Sequence, residues 1–550
     1  MSGHAERHRA RDAGNAGPET SFHTLVGLPD ITNRSVLFLA AENGALPNGK
    51  VGGLGDVMRD LPIALAARGW KTAVMTPAYG VFADLPGAKQ RTTLDVEFAG
   101  ADYEVDLFEV ERSGTDVRHY VLDHELFAPH GPGRIYTEME GEGPFATDAS
   151  KFAFFCAASA TALTDRALPA PDVLHLNDWP AALVLLLRHY APSCSVLRQI
   201  RMVFTIHNLA MQGVRPLQGD DSALESWFPE LDYEPETVAD KRWPDCVSPM
   251  AVAIRLADAV NTVSPSYARE ILEPNDPARG FSGGEGLEAE LAAAQAAGRL
   301  AGILNGCTYL PRQSRTPVWT QVVGAMRASL ASWIARDAEL RSAHYLADKT
   351  IDVLPARRPA VLLTSIGRIA SQKTSLFLQA TESGTTALEA ILEALGGRGV
   401  FIMVGSGDSA YERRFTEVAS RFKNFVFLNG YSESLADVLY TSGDLFLMPS
   451  SFEPCGIAQM LAMRAGQPCV VHGVGGLKDT VTDGVDGFVF AGATPTEQAG
   501  AFVAKIAAAL DLKQSSAERW QRLRKEAAAA RFDWEASAAA YETLYGIERD

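Results

Sequence analysis

A lysine followed by a glycine-rich turn is the first segment of the chain that could do chemistry. Lys50 precedes Val51-Gly52-Gly53-Leu54-Gly55-Asp56, after an apolar run that ends at Ala41 and before a helical pattern from Met58. Glycines at a strand-to-helix turn let backbone N–H groups approach phosphoryl oxygens, and the positive end of the helix dipole faces the same charge. The glycine spacing is neither the dinucleotide fingerprint nor a Walker A loop. The turn predicts anion binding, although a purely geometric βα turn would use the same glycines.

Two polar groups follow predicted strands in the first half of the chain. Asp178 comes after the strand 173–176, and His207 with Asn208 closes the strand 202–206. Taken alone, Asp178 would be the N-cap of the next helix, and His207 a core histidine bonded to backbone. Because ligands of parallel sheets bind at the carboxyl ends of strands, both side chains are also active-site candidates.

The second half of the chain carries two cations and a carboxylate in equivalent places. Arg368 and Lys373 share a loop after a strand, where a guanidinium and an ammonium can hold one phosphate, although such a pair can also be merely solvated. Glu453 follows at a strand-to-helix junction, and the pair Gly475-Gly476 precedes another helical run. Together these residues predict an acceptor for hydroxyls next to a phosphate cradle.

Composition narrows the function classes. The 550 residues are 47% hydrophobic and 21% charged, as in a globular protein of two domains or three. Fifty Lys and Arg against 67 Asp and Glu give a net charge of −17, which argues against nucleic-acid and membrane partners. Six cysteines lack metal-ligand spacing, and neither a signal peptide nor a membrane-spanning run is evident. We therefore expect a cytoplasmic protein without a metal, and the oligomeric state stays open.

The elements that must position these residues form two βαβ series, which predict an α/β fold of two Rossmann-like, doubly wound domains facing a central cleft. A helix is also predicted over 285–304, and a C-terminal helix is expected to pack back across the domains. The predicted strands are 35–41, 72–75, 173–176 and 202–206, then 360–366, 400–404, 425–428, 445–448 and 469–471. The predicted divisions are a disordered tail over 1–33, an N-terminal domain over 34–310, a linker over 311–355, a C-terminal domain over 356–530 and a terminal helix over 531–550.

With these motifs in order, the chain resembles the bacterial-type glycogen and starch synthases, family 5 glycosyltransferases of the GT-B fold. The resemblance runs from about Ser35 to Tyr545. It is carried by K-V-G-G-L-G-D-V, H-L-N-D-W, T-I-H-N-L, T-V-S-P-S-Y-A-R-E, G-I-L-N-G, G-R-I-A-S-Q-K, P-S-S-F-E-P-C-G, G-V-G-G-L and F-D-W.

The resemblance implies transfer of glucose from a nucleoside diphosphate glucose, typically ADP-glucose, to the non-reducing end of an α-1,4-glucan, with retention of configuration and no cofactor. UDP-glucose stays open as the donor, and we favour a front-face route over a covalent intermediate. The implied catalytic residues are Glu453, which binds donor hydroxyls, Arg368 and Lys373, which neutralise the leaving diphosphate, and His207 and Asp178 at the catalytic centre. The implied substrate-binding residues are Lys50, Gly52, Gly53, Asp56, Asn208, Tyr431 as a base-stacking group, and the backbone of Gly475, Gly476 and Leu477.

Departures from the family pattern cluster on the acceptor side and the linker. Ser248 stands where the family has asparagine, the segment from Cys307 differs, Thr374 replaces a frequent glycine, and the stretch before Lys50 is longer, which bears on a contact between Glu42 and the acceptor sugar. Donor chemistry is thus expected to be better preserved than glucan recognition. Two alternatives follow: a GT-B glucosyltransferase with a smaller acceptor, and a catalytically weak glucan-binding homologue.

Overall fold

The computed structural model describes residues 34–137, 146–309, 316–337 and 339–546. The tail predicted over 1–33 lies outside these residues, as do residue 310 of the predicted N-terminal domain, 311–315 and 338 of the predicted linker, and 547–550 of the predicted terminal helix. The described chain folds into two α/β domains, each built on its own largely parallel sheet. The predicted fold class, with two Rossmann-like domains, is confirmed.

The N-terminal domain contains a mixed sheet with strand order β11-β10-β7-β6-β1-β2-β5-β4-β3 among the described residues. Its central strands are parallel and buried apart from Ala73 and the first residues of three of them, which explains their largely apolar sequences, whereas β3 and β4 at one edge pair antiparallel. The strands are β1 Ser35–Leu39, β2 Lys71–Pro77, β3 Ala88–Phe98, β4 Ala101–Val110, β5 Arg118–Asp123, β6 Val173–Asn177, β7 Arg201–Ile206, β8 Arg215–Pro216, β9 Cys246–Val247, β10 Ala259–Thr262 and β11 Leu300–Gly302, with β8 and β9 forming a separate antiparallel pair. The helices are α1 Gly53–Ala67, α2 Ala146–Thr164, α3 Trp179–Tyr190, α4 Leu224–Trp227, α5 Pro235–Val238, α6 Pro249–Leu256, α7 Pro265–Glu270 and α8 Glu288–Ala296.

The C-terminal domain contains a parallel sheet with the order β14-β13-β12-β15-β16-β17 in the described part of the chain. Its strands are β12 Val361–Ile366, β13 Gly399–Gly405, β14 Phe425–Asn429, β15 Leu445–Met448, β16 Cys469–His472 and β17 Phe488–Phe490. The remaining helices are α9 Trp319–Ile334, α10 Ser342–Asp352, α11 Ser371–Leu378, α12 Ala387–Leu395, α13 Ser409–Arg421, α14 Glu433–Ser442, α15 Ala458–Arg464, α16 Gly475–Thr480, α17 Pro495–Ser515, α18 Ala517–Ala529 and α19 Trp534–Leu544.

The stretch expected as a linker, 311–355, contains α9 and α10. Trp319, Met326 and Ile351 of these helices are buried in one core cluster with the C-terminal sheet residues Leu362 and Val426. In the structure α9 and α10 therefore pack onto the C-terminal domain.

The last helix, α19, returns to the N-terminal domain. Its Tyr541 and the following Tyr545 are fully buried in a cluster with Phe38 of β1. The Tyr545 hydroxyl lies 2.8 Å from Nδ1 of His175, and the indole N–H of Trp70 donates to Glu542 at 3.0 Å. The prediction that the C-terminal helix packs back across the domains is confirmed.

Two helix predictions need correction. The helix predicted over 285–304 is too long at both ends: α8 runs only from Glu288 to Ala296, Gly298 adopts a φ of +67°, and Leu300–Gly302 pairs with β10 as a strand. Glycine in the left-handed region ends a helix readily, so local helix propensity yields to sheet pairing here. The helix after the glycine turn begins at Gly53 rather than Met58, because the turn itself forms the first helical residues.

Candidate active site

A buried carboxylate organises the glycine turn. Oε2 of Glu42 accepts the backbone N–H groups of Val51 and Gly52 at 2.8 Å and of Gly55 at 3.2 Å, while the Tyr136 hydroxyl donates to Oε1 at 3.3 Å. Burial raises the pKa of Glu42, and the three backbone N–H groups oppose that shift. The Gly52 N–H is therefore bonded within the protein. The Glu42 carboxylate accepts the N–H groups that would otherwise be open to an external anion.

Lys50 and Asp56 form an ion pair at the mouth of this turn. Their Nζ and Oδ2 atoms are 2.6 Å apart, and Arg59 approaches the other carboxylate oxygen at 3.2 Å. Tyr431 of the C-terminal domain, 54% exposed, faces the same place: desolvation raises its pKa, and the Lys50 ammonium opposes that shift. The structure therefore brings Lys50, Asp56 and Tyr431 to one stretch of the cleft.

Asp178 and His207 lie side by side at the carboxyl ends of β6 and β7. Asp178 has a φ of +55° and makes no capping bond to α3; its Oδ1 instead accepts the backbone N–H of His207 at 2.6 Å and of Asn208 at 3.3 Å. Desolvation raises the pKa of this carboxyl group to about 7. Asp178 therefore stands at the N-cap position of α3 without capping it through its side chain, because the backbone turns the carboxylate toward the neighbouring strand.

His207 is held by a side chain rather than by backbone. Its Nε2 lies 2.9 Å from Oδ1 of Asn177, whose amide nitrogen donates to the carbonyls of Leu39 and His175. This pattern assigns the ring proton to Nε2 and leaves Nδ1 as an acceptor. Burial lowers the pKa of His207 to about 3, so the ring is neutral at physiological pH.

The C-terminal domain places its cations beside a buried carboxylate. Lys373 forms an ion pair with Oε2 of Glu453, which also accepts from the Ser450 hydroxyl at 2.9 Å. Glu453 is 4% exposed, and Arg368 is exposed without an ion pair among the described residues. A cavity of about 100 Å³ is lined by Arg368, Lys373, Ser450 and Ile457. The arrangement is suited to hold a phosphate and a hydroxyl-bearing group next to each other.

The three backbone donors predicted around Gly475 already have acceptors. Gly475 donates to both oxygens of Glu270 at 2.9 and 3.0 Å, Gly476 to the Glu453 carbonyl at 3.0 Å, and Leu477 to the Val474 carbonyl at 3.1 Å. In this structure these three N–H groups therefore make hydrogen bonds within the protein. They remain next to the predicted site because Gly476 contacts the main chain of Glu453.

The two halves of the site face each other across the cleft. A Cβ placed on Gly53 of the N-terminal turn would lie 3.9 Å from Cδ1 of Ile457, which lines the cavity beside Lys373. A larger depression of about 380 Å³ along β3 contains none of the candidate residues. Within the described ranges, no cluster of three His, Cys, Asp or Glu side chains could hold a metal, and no helix is long and apolar enough to cross a membrane.

Comparison with known proteins agrees with this geometry. The model of the starch synthase catalytic domain matches residues 35–293, and that of the group 1 glycosyl transferases matches 362–511. Glycogen synthase from Anaeromyxobacter dehalogenans strain 2CP-1 is 37% identical over 533 residues, which cover 93% of this chain and 98% of the relative. The chain belongs to the glycogen synthase family. Glycogen synthase from Streptococcus equi subsp. equi strain 4047 is 31% identical over 93% of this chain and 99% of its own.

Solved structures confirm the GT-B architecture of this glycogen synthase family member. The catalytic domain of starch synthase IV from Arabidopsis thaliana, bound to ADP and acarbose, superposes with a TM-score of 0.70 at 25% identity and covers 93% of this chain and 98% of its own. Sucrose-phosphate synthase from Thermosynechococcus elongatus shares the fold, with a TM-score of 0.53 at 19% identity over 93% of this chain and 98% of its own.

Sequence reasoning missed several groups of the site. Glu42 entered the prediction only as a doubtful acceptor contact, and Tyr136, Ser450 and Glu270 were not singled out as site residues. A carboxylate directly after the first strand and next to a glycine turn was an available signal for Glu42. Of the departures, Ser248 caps α6 through Ala251 N–H at 3.3 Å, Cys307 is buried, and the Thr374 hydroxyl donates to the Ala370 carbonyl at 2.9 Å.

Proposed function

We propose that this protein is a retaining glucosyltransferase that transfers glucose from ADP-glucose to the 4-hydroxyl at the non-reducing end of an α-1,4-glucan. The observation that carries the proposal is the meeting of two half-sites across one cleft. On one side Arg368 and Lys373 line a cavity, with Lys373 paired to buried Glu453, and on the other side the glycine turn after Lys50 comes close to Ile457 of that cavity. The starch synthase IV structure, with bound ADP and the oligosaccharide analogue acarbose, supports both substrate classes.

The donor diphosphate is assigned to the cations. When the bond between C1 of glucose and the phosphate oxygen breaks, its electron pair goes to the departing diphosphate, and cations already in place stabilise that charge without reorganising. Arg368 supplies a guanidinium without an ion-pair partner in the described chain, and Lys373 an ammonium held by Glu453. Lys50 approaches from the opposite domain, and half-exposed Tyr431 is the surface assigned to the base.

Glucose is assigned to Glu453 and to the pair at the ends of β6 and β7. Glu453 retains an oxygen, Oε1, for a donor hydroxyl, since Oε2 already bonds to Lys373 and Ser450. The neutral His207 ring adds no positive charge near the oxocarbenium-like sugar. In the front-face route, the acceptor 4-hydroxyl oxygen forms the new bond to C1 and its proton passes to the leaving phosphate oxygen. Asp178 accepts the N–H groups of His207 and Asn208 and so fixes the main chain beside the reacting sugar.

Transfer of labelled glucose tests the proposal. ADP-glucose and UDP-glucose are each supplied with glycogen and with maltooligosaccharides, and the anomeric configuration of the product is read by NMR. We expect α-linked product from ADP-glucose, and loss of at least about 100-fold in Glu453→Ala. Glu111→Ala, which removes an exposed carboxylate of the N-terminal domain, is the matched control and should keep full activity.

Each other result has a definite meaning. Transfer to maltooligosaccharides but not to glycogen would show that the acceptor is a short oligosaccharide rather than the polymer. Polymer binding without transfer from either donor would make the protein a non-catalytic homologue and overturn the proposal.

A further inference from the structure

Helix α7 of the N-terminal domain reaches across to the C-terminal domain. The hydroxyl of Ser264, its N-cap, donates to the Pro454 carbonyl at 2.6 Å, and the N–H and hydroxyl of Ser266 donate to Asp479 at 2.8 and 2.7 Å. At the end of the helix, Glu270 accepts from the Gly475 N–H and pairs with Lys478 at 2.9 Å. The helix thus forms a polar contact between the domains next to the Glu453 loop.

Gly475 couples this contact to the main chain of Glu453. Its φ is +44°, and a Cβ there would lie 1.9 Å from the Glu453 carbonyl oxygen, so the two backbones are in close contact. The next N–H, that of Gly476, donates to the same carbonyl at 3.0 Å. A shift of Gly475 would therefore move the peptide that carries the Glu453 side chain.

The Glu270 carboxylate matters more for its bond to backbone than for its ion pair. Its side chain is 11% exposed, whereas that of Lys478 is 49% exposed, so solvent screens the lysine. Gly475 is buried, and without an acceptor its N–H would remain unsatisfied. Because the acceptor comes from the other domain, the Gly475 bond exists only when α7 lies against α16.

We propose that Glu270 is a positioning residue, which sets Glu453 in its working position when the two domains come together. The proposed action runs through the Gly475 and Gly476 main chain rather than through a contact with donor or acceptor. This inference rests on the proposed function, since it assigns the placement of a group that binds donor glucose. It links domain closure to the completion of the catalytic site through one carboxylate.

A double-mutant cycle tests this inference. In Glu270→Ala we expect kcat to fall at least tenfold while the Kd for ADP stays within twofold, because ADP lacks the glucose that Glu453 binds. The double variant with Glu453→Ala should be no slower than Glu453→Ala alone, since both changes remove the same contribution. Losses that multiply, or an unchanged kcat per folded molecule, would overturn the inference.

Two conservative variants distinguish the length of the side chain at position 270 from its charge. Glu270→Gln keeps an acceptor oxygen for the Gly475 N–H and should keep kcat within threefold, whereas Glu270→Asp keeps the charge but falls short and should lose nearly as much as Glu270→Ala. These two variants carry the test if Glu270→Ala does not fold. Equal activities of the Gln and Asp variants would contradict the proposal.

The controls distinguish this inference from the proposed function. Lys478→Ala removes the screened ion pair and should lose less than threefold in kcat, and Glu111→Ala should lose nothing. If the unaltered protein transfers no glucose, the proposed function fails before any variant is compared. If it transfers glucose and the Glu270 variants all have the kcat of the unaltered protein, only the positioning role fails.

Discussion

Replacing Asp178 by asparagine should make the protein more stable and less active. The backbone at this position has φ 55° and ψ 179°, and because aspartate and asparagine side chains have the same shape, the substitution adds no backbone strain beyond that of the native residue. The asparagine oxygen can still accept the N–H of His207. What the variant lacks is the negative charge, which burial makes costly in the native protein.

The pKa of Asp178 gives the size and the sign of the effect. It rises from 3.8 in the unfolded chain to about 7 in the folded state, so between these values only the folded state keeps the proton. The free energy of unfolding therefore falls as pH rises through this window and levels off above about pH 7. At about 1.4 kcal/mol per pKa unit, the full loss is about 4 kcal/mol. An asparagine side chain does not titrate, so the variant should escape this loss.

Urea unfolding of both proteins at pH 5, 6, 7 and 8 checks this expectation. The stability advantage of Asp178→Asn should grow from about 2 kcal/mol at pH 5 to about 4 kcal/mol at pH 8. Asp511→Asn, an exposed change on α17, should stay within about 0.5 kcal/mol at every pH. Glucose transfer by Asp178→Asn should fall about 100-fold, because the main-chain hydrogen bond is kept but the carboxylate charge at the catalytic centre is lost. An advantage that is constant with pH, or that shrinks toward pH 8, would refute the reasoning.

Three further predictions concern the turn, the ion pair and the last helix. Glu42→Ala leaves three N–H groups of the turn without their acceptor, so KM for the donor should rise at least about tenfold in steady-state assays, and an unchanged KM would count against its role. Lys373→Met leaves the Glu453 carboxylate buried without its cation and should lower kcat about 100- to 1,000-fold, with normal kinetics as the contrary result. Tyr545→Phe orphans Nδ1 of His175 and should lower the free energy of unfolding by about 1–3 kcal/mol in urea titrations without changing kcat; a loss of activity in the folded variant would contradict a purely structural role.

The architecture was readable from the sequence because its signals are local. Buried parallel strands such as β1 and β13 are continuous apolar runs between turns, and alternation with helical patterns predicts the doubly wound sheets. Where the local signal and the tertiary pairing disagreed, at Leu300–Gly302, the pairing with β10 decided the outcome.

For the site, the sequence predicted only which residue types follow the strands, and not how their side chains pair. The sequence brings Arg368, Lys373 and Glu453 to one sheet edge, but it does not show that Lys373 and Glu453 pair. The contact of Glu270 with Gly475 joins residues 205 positions apart and depends on how the domains meet. The orientation of Asp178 depends on one backbone angle that no local pattern specifies. Contacts of this kind follow from tertiary structure alone.

The return of α19 to the N-terminal domain has a consequence for biosynthesis. Phe38 and Val36 of β1 pack in one buried cluster with Tyr541 and Tyr545. This part of the N-terminal domain therefore stays uncovered until α19 and Tyr545 have been synthesised. About 230 residues separate Gly306 from Trp534, and at about 5–20 residues per second the ribosome needs roughly 10–50 s to make them. During that interval the apolar side chains of Val36 and Phe38 lack the cover that Tyr541 and Tyr545 later provide. Removing α19 would leave this face uncovered permanently, in the domain made first.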